Sequence, residues 1–115
     1  MGDNHVRWVI GNALFYLADR SDLDGMLAIS KEKSYGRSRQ MVVEALGRIG
    51  KNREDVVDDL IALLDDEDVV VFAISALGKL KAAKSRSRVE GLLDHELLLV
   101  RRTAKAALRK IDRVR

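Results

Sequence analysis

The sequence predicts an all-α repeat protein, a helical solenoid, on three observations. It contains no proline, it has only five aromatic residues (Trp8, Phe15, Tyr16, Tyr35 and Phe72), and one helical pattern recurs four times along its 115 residues. The first two favour helices packed through aliphatic and alanine contacts over sheets. The third decides the architecture, because a unit recurring every 20 to 50 residues or so cannot bury its own apolar face and must stack on its neighbours.

The copies are VRWVIGNALFYLA (6–18), SRQMVVEALGRIG (38–50), VVVFAISALGKLK (69–81) and VRRTAKAALRKID (100–112), which align without gaps at offsets of 32, 31 and 31 residues. The fifth position holds Ile10, Val42, Ala73 and Ala104. The eighth is always alanine (Ala13, Ala45, Ala76, Ala107), small enough to let neighbouring helices approach closely. The ninth is always leucine (Leu14, Leu46, Leu77, Leu108), and the twelfth is Leu17, Ile49, Leu80 and Ile111. With the first position these trace one stripe of an α-helix, so each copy has one buried face.

Shorter amphipathic stretches between the copies supply partner helices: Leu23, Met26 and Leu27, then Val56, Val57, Leu60, Ile61 and Leu64, then Val89, Leu92 and Leu93. Their expected starts are Ser21 or Asp22, Asn52 with Asp55, and Ser87 with Glu90 as a capping box. Gly50 stands where a C-terminal cap belongs, and Asp65 to Asp68 supplies a turn with negative charge at the next helix start. The count is about three and a half two-helix repeats in one domain spanning 1–115. The chain opens on the second helix of a unit. Either it is the C-terminal piece of a longer solenoid, with Trp8, Phe15 and Tyr16 packed on a preceding neighbour, or these aromatics form an end cap.

With 47% hydrophobic and 34% charged residues the chain has the apolar content to fold, and its size suffices for a core without staples. The absence of cysteine excludes disulfides, thiolate metal sites and cysteine nucleophiles, and makes the cytoplasm the expected setting. No apolar run has the roughly 18 residues of a membrane span, and the first residues lack a signal-peptide pattern. No membrane association is expected. The net charge of +3 is unevenly distributed, with residues 69–115 holding twelve basic and four acidic groups. That basic third is read either as a surface for an anionic partner or as a solvated helix face.

The stretches LLDDEDVVVFAISALGKL (63–80) and LLDHELLLVRRTAKAALRKI (92–111) resemble HEAT repeats, in particular the short kind also seen in phycobilin lyases. Leucines and an acidic turn precede V-R-x-x-A-x-x-A-L-G-x-I in that pattern. The resemblance implies a right-handed α-α superhelix, armadillo-like, whose second helices line a concave face. The pattern's arginine is present as Arg7, Arg39 and Arg101 but is Val70 in the third copy, and the usual turn proline is absent. A uniform ladder of arginines is therefore not expected.

No catalytic constellation is evident. His5 and His95 lack catalytic partners, and His95, within Asp94-His95-Glu96, reads as an exposed loop residue. The cluster Asp65, Asp66, Glu67 and Asp68 lacks the glycine and ligand spacing of a calcium loop, and Asp58 and Asp59 diverge by about 100° on a helix. The glycines are scattered singly, so no phosphate loop or dinucleotide fingerprint occurs. No cofactor and no metal are expected, and the chain is read as a non-enzyme.

The functional expectation rests on solvent-side positions two, three and eleven of each copy. These hold Arg7, Trp8 and Tyr16, then Arg39, Gln40 and Arg48, then Lys79, then Arg101, Arg102 and Lys110; Lys105 and Arg109 make the last copy strongly cationic. The primary reading is a scaffold that binds another protein there. The second is nucleic-acid binding through phosphate contacts of the basic C-terminal copy. A third, implied by the resemblance alone, is a lyase-like or glycosylase-like HEAT enzyme using Trp8, Tyr16 and Asp19.

Overall fold

A computed structural model describes residues 19–113. The first copy of the pattern, with Arg7, Trp8 and Tyr16, lies outside the described residues. Six α-helices follow in order: α1 (Leu23–Lys31), α2 (Gln40–Ile49), α3 (Glu54–Ala62), α4 (Val70–Lys79), α5 (Arg86–Glu90) and α6 (Leu98–Asp112). Short 3-10 turns join them except between α2 and α3, where a plain turn does, and the described residues contain no strand. The repeated pattern forms α2, α4 and α6, and the intervening amphipathic stretches form α1, α3 and α5. The described chain is thus an all-α repeat fold.

Each partner helix packs on the copy that follows it, α1 on α2, α3 on α4 and α5 on α6, while α4 lies between α2 and α6. The predicted core stripe is largely the observed one: Val42, Ala45, Leu46 and Ile49 on α2, then Ala73, Ala76 and Leu77 on α4, then Ala104, Ala107, Leu108 and Ile111 on α6 are buried, whereas Leu80 and Ser38 are half-buried. From the partner helices, Leu23, Met26, Val56, Leu60 and Val89 close the core at 1% exposure or less.

The alanine at the eighth position has a specific opponent. A Cβ built on Gly47 would lie 2.6 Å from the Cα of Ala76 and 2.7 Å from its Cβ, and one on Gly78 would lie 3.0 Å from both atoms of Ala107. The tenth-position glycine of one copy therefore receives the eighth-position alanine of the next, at backbone contact distance. Close helix approach needs small residues on both sides of the seam.

The helix ends depart from the sequence expectation in detail. Where Ser21 or Asp22 is expected to cap the first partner helix, Asp19 instead caps the 3-10 turn before α1 in a capping box: Asp19 Oδ1 accepts from the Ser21 N–H at 2.9 Å, and Asp22 Oδ2 accepts from the Asp19 N–H at 2.9 Å. Asn52 is not an N-cap; it sits at φ 67° in the turn after α2, a conformation asparagine tolerates, and α3 starts after Arg53. Ser87 lies within α5 rather than before it, and no Ser87–Glu90 capping box forms; the buried Ser85 holds that helix start, its Oγ donating to the Ala82 carbonyl at 2.7 Å. Gly50 does end α2, donating its N–H to the Leu46 carbonyl at 2.9 Å.

Candidate interaction surface

Each repeated helix divides its faces in a regular way. Positions five, eight and nine enter the core in every described copy, as do positions one and twelve except at Ser38 and Leu80, which are half-buried. Positions six and ten meet the neighbouring copy: Val43 and Ile74 are fully buried, as are Gly47 and Gly78. What remains is a stripe of the fourth, seventh and eleventh positions, flanked by the third and by the residue just before the pattern. Side by side, the three helices array Met41, Phe72 and Thr103, then Glu44, Ser75 and Ala106, then Arg48, Lys79 and Lys110. The first two rows are half-buried and the last row is exposed.

The expected binding residues distribute over this frame unequally. Arg48, Lys79, Arg102 and Lys110 lie on the stripe or its flank and are exposed. Lys79 Nζ reaches Glu44 Oε2 of the preceding helix at 2.6 Å, so this row is partly charge-compensated. Glu44 Oε1 is buried with no hydrogen-bond partner. Lys105 and Arg109 are exposed at the sixth and tenth positions, where inner copies carry Val43, Ile74 and the two glycines. They give α6 a polar outer face in place of a stacking one.

Arg39 corrects the expectation. Its position faces the interior, and the residue is 0% exposed. Its Nε donates to the Gly36 carbonyl at 2.8 Å, Nη1 to the Ser30 carbonyl at 3.0 Å and Nη2 to Asp66 Oδ2 at 2.9 Å. Gly36 itself adopts φ 53°, a left-handed conformation that glycine takes without strain, and so aims its carbonyl at the guanidinium. Arg101, at the same position in the last copy, is half-buried and donates to the carbonyls of His95 and Glu96 at 2.8 and 3.0 Å. In both copies the arginine braces the loop that leads into its own helix. Val70 fills the equivalent slot at 7% exposure.

The acidic turn is accounted for in the same way. Asp66 Oδ1 accepts from the Asp68 N–H at 3.0 Å while its other oxygen holds Arg39, and Asp65 pairs with Arg88 at 3.0 Å. Ser30, which gives its carbonyl to Arg39, donates its hydroxyl to Asp59 Oδ2 at 2.7 Å. Burial pushes the Asp59 carboxyl above its ordinary value, against the lowering by Ser30, Lys31 and Arg39. His95 is half-buried rather than exposed, its Nδ1 accepting from the Leu97 N–H at 3.0 Å.

Two features went unread in the sequence. Leu97, Leu98 and Leu99, at the start of α6, are 59%, 51% and 63% exposed. Leu99 also lines a cleft of about 200 Å³ together with Val71, Phe72, Arg37, Gln40, Glu67 and Asp68. The run of three leucines before the fourth copy was the available signal, since of the four consecutive apolar positions 97–100 only Val100 is buried.

Among the described residues no helix is long and apolar enough to cross a membrane, and no group of three or more acidic or histidine side chains is placed to hold a metal ion. The fold and the open stripe define the class, an all-α repeat module. Residues 38–66, which run from α2 through α3 and the turn after it, match the family model of the PBS lyase HEAT-like repeat. The resemblance to HEAT-like repeats is thereby shown for that stretch, and the same register continues through α4 and α6. No curated protein and no solved structure matches the chain.

Proposed function

We propose that the chain is a non-catalytic, cytoplasmic protein-interaction module that binds its partner on the stripe formed by the second helices. The observation that carries this reading is the division of faces. Core, seam and loop bracing occupy the other sides of α2 and α4, while Met41, Phe72, Ser75 and Arg48 keep part of their surface open to solvent and Lys79 reaches across to Glu44 of α2. A row of parallel helices with one shared open face suits an extended partner. Asp19 belongs to the turn before α1, where its side chain accepts from Ser21, and this supports a structural role for it.

Affinity capture from the source cell, with bound proteins identified by mass spectrometry, tests the reading. The native chain should retain a protein that Phe72→Ser with Arg48→Glu loses and that Lys105→Glu with Arg109→Glu keeps. Equal capture by all three would end it. A second reading, phosphate-backbone binding by α6, is favoured by the exposure of Arg102, Lys105, Arg109 and Lys110 on one helix. Its mark is binding of duplex or single-stranded nucleic acid that weakens steeply with salt, and no binding at low ionic strength would remove it.

A further inference from the structure

The acidic turns that lead into α4 and α6 differ in length, and the longer one leaves leucines in the open. Three residues separate Leu63-Leu64-Asp65 from Val69, whereas five separate Leu92-Leu93-Asp94 from Val100. Val69 and Val100 each open a copy of the repeated pattern. Helix α4 starts one residue after that position, at Val70, but α6 starts two residues before it, at Leu98. The shift of three residues gives α6 nearly one additional turn. Leucine fills it, with Leu97 as the N-cap.

This turn adds nothing to the core. Leu97, Leu98 and Leu99 are the large apolar residues left exposed among those described. Apolar side chains gathered at one exposed place mark a contact with another macromolecule. Leu99 lines the cleft of about 200 Å³ with Val71 and Phe72, so an apolar projection stands directly beside an apolar recess. The cleft also carries both signs of charge. The Arg37 side chain is 82% exposed and only 3.9 Å from Asp68 at its nearest, and Glu67 is exposed with no ion pair among the described residues.

A phosphate polymer or an anionic bilayer calls for one sign of charge around such leucines, and this cleft presents a cation and an anion. Projection beside recess, and cation beside anion, are complementary to themselves when a two-fold axis brings the same patch of two molecules together.

We infer that the first turn of α6 and the cleft beside it form a self-association site, where the leucines of each copy cover the cleft of the other and Arg37 of each faces Glu67 of the other. The inference goes beyond the interaction-module reading, since the occupant is a second copy of the chain and the site centres on α6. Three leucines and a small cleft fall short of the roughly 800 Å² that each partner buries in a standard interface. The dimer is therefore weak, with a dissociation constant on the order of 100 μM.

Sedimentation velocity at concentrations from about 10 μM to about 1 mM tests this. The mass of the native chain should rise from one copy toward two and level there. Leu98→Glu with Leu99→Glu, whose carboxylates suit the first turn of a helix, should stay a single copy throughout. Glu67→Arg sets like charges against each other twice across the axis and should loosen the dimer roughly tenfold; adding Arg37→Glu should restore it. Should the latter variant not fold beside Asp68, Arg37→Ala with Glu67→Arg takes its place and should recover part of the loss.

A native chain that stays single at every concentration, a leucine variant that still pairs, a Glu67→Arg loss that neither Arg37 substitution relieves, or growth past two copies overturns the inference. If the chain stays single while the capture experiment still yields a protein dependent on Phe72 and Arg48, self-association is wrong and the interaction reading stands.

Discussion

Arg39 Nη2 donates to Asp66 Oδ2 at 2.9 Å, joining the start of α2 to the turn that precedes α4, with the arginine side chain 1% exposed. The same guanidinium holds carbonyls of Ser30 and Gly36, so the last turn of α1, the loop before α2 and the acidic turn before α4 converge on one buried cation. A residue type that usually faces solvent is here part of the framework, which removes it from the binding surface.

Arg39→Met should therefore destabilise the protein by about 3–5 kcal/mol, because Asp66 and two carbonyls lose their partner at a buried site. Arg39→Lys should recover little, since one ammonium cannot reach all three acceptors in the planar arrangement a guanidinium provides. Urea denaturation reads both. Parent-like stability of either variant would mean the guanidinium is dispensable to the fold.

Asp59 gives a pH dependence. Its folded value is raised by burial, so ionising it costs stability: its favourable contribution is present below the unfolded value and is lost as pH rises through the raised folded value. Asp59→Asn should then be more stable than the parent at neutral pH, and the advantage should shrink as pH falls toward about 4, the ordinary aspartate range. Denaturation midpoints at a series of pH values check this. A variant weaker than the parent at neutral pH would show that Lys31 and Arg39 more than compensate the buried carboxylate.

Charge reversal separates surface from scaffold on α6. Arg102→Glu with Lys110→Glu should leave the unfolding free energy within about 1 kcal/mol of the parent, as exposed charges do, while weakening partner binding. Lys105→Glu with Arg109→Glu should leave both nearly unchanged. Thermal melts and binding titrations on the same preparations distinguish the pairs; loss of folding in the first pair would make those residues structural.

The architecture was legible because it follows from periodicity. Invariant alanine and leucine positions fix one face of each copy, and the core formed there. The surface was only half legible. Periodicity says which side of a helix is apolar, but it cannot say which polar side chain folds back into the fold. Arginine is usually exposed, which puts Arg39 outside on sequence alone; its burial depends on Gly36 at positive φ and on Asp66, 27 residues later. At positions four and seven Met41, Phe72 and Ala106 look like core residues in sequence, and only the stacking of α2, α4 and α6 shows them shared between neighbour and solvent. Capping shifted by a residue or two for a similar reason, since several Ser, Asp and Asn residues compete at each start.

The register of the stack, on which the open stripe depends, is tested most directly by the thermal unfolding of Gly47→Ala beside Gly78→Ala. Alanine gains up to about 1 kcal/mol over glycine within a helix. At Gly47 that gain meets a Cβ placed 2.6 Å from a backbone carbon of Ala76, which the seam cannot absorb without moving a helix; at Gly78 the corresponding distance is 3.0 Å. Gly47→Ala should melt at a clearly lower temperature than the parent, and Gly78→Ala should lose less. A Gly47→Ala protein melting at or above the parent would place that glycine away from Ala76, and the assignment of faces would be wrong.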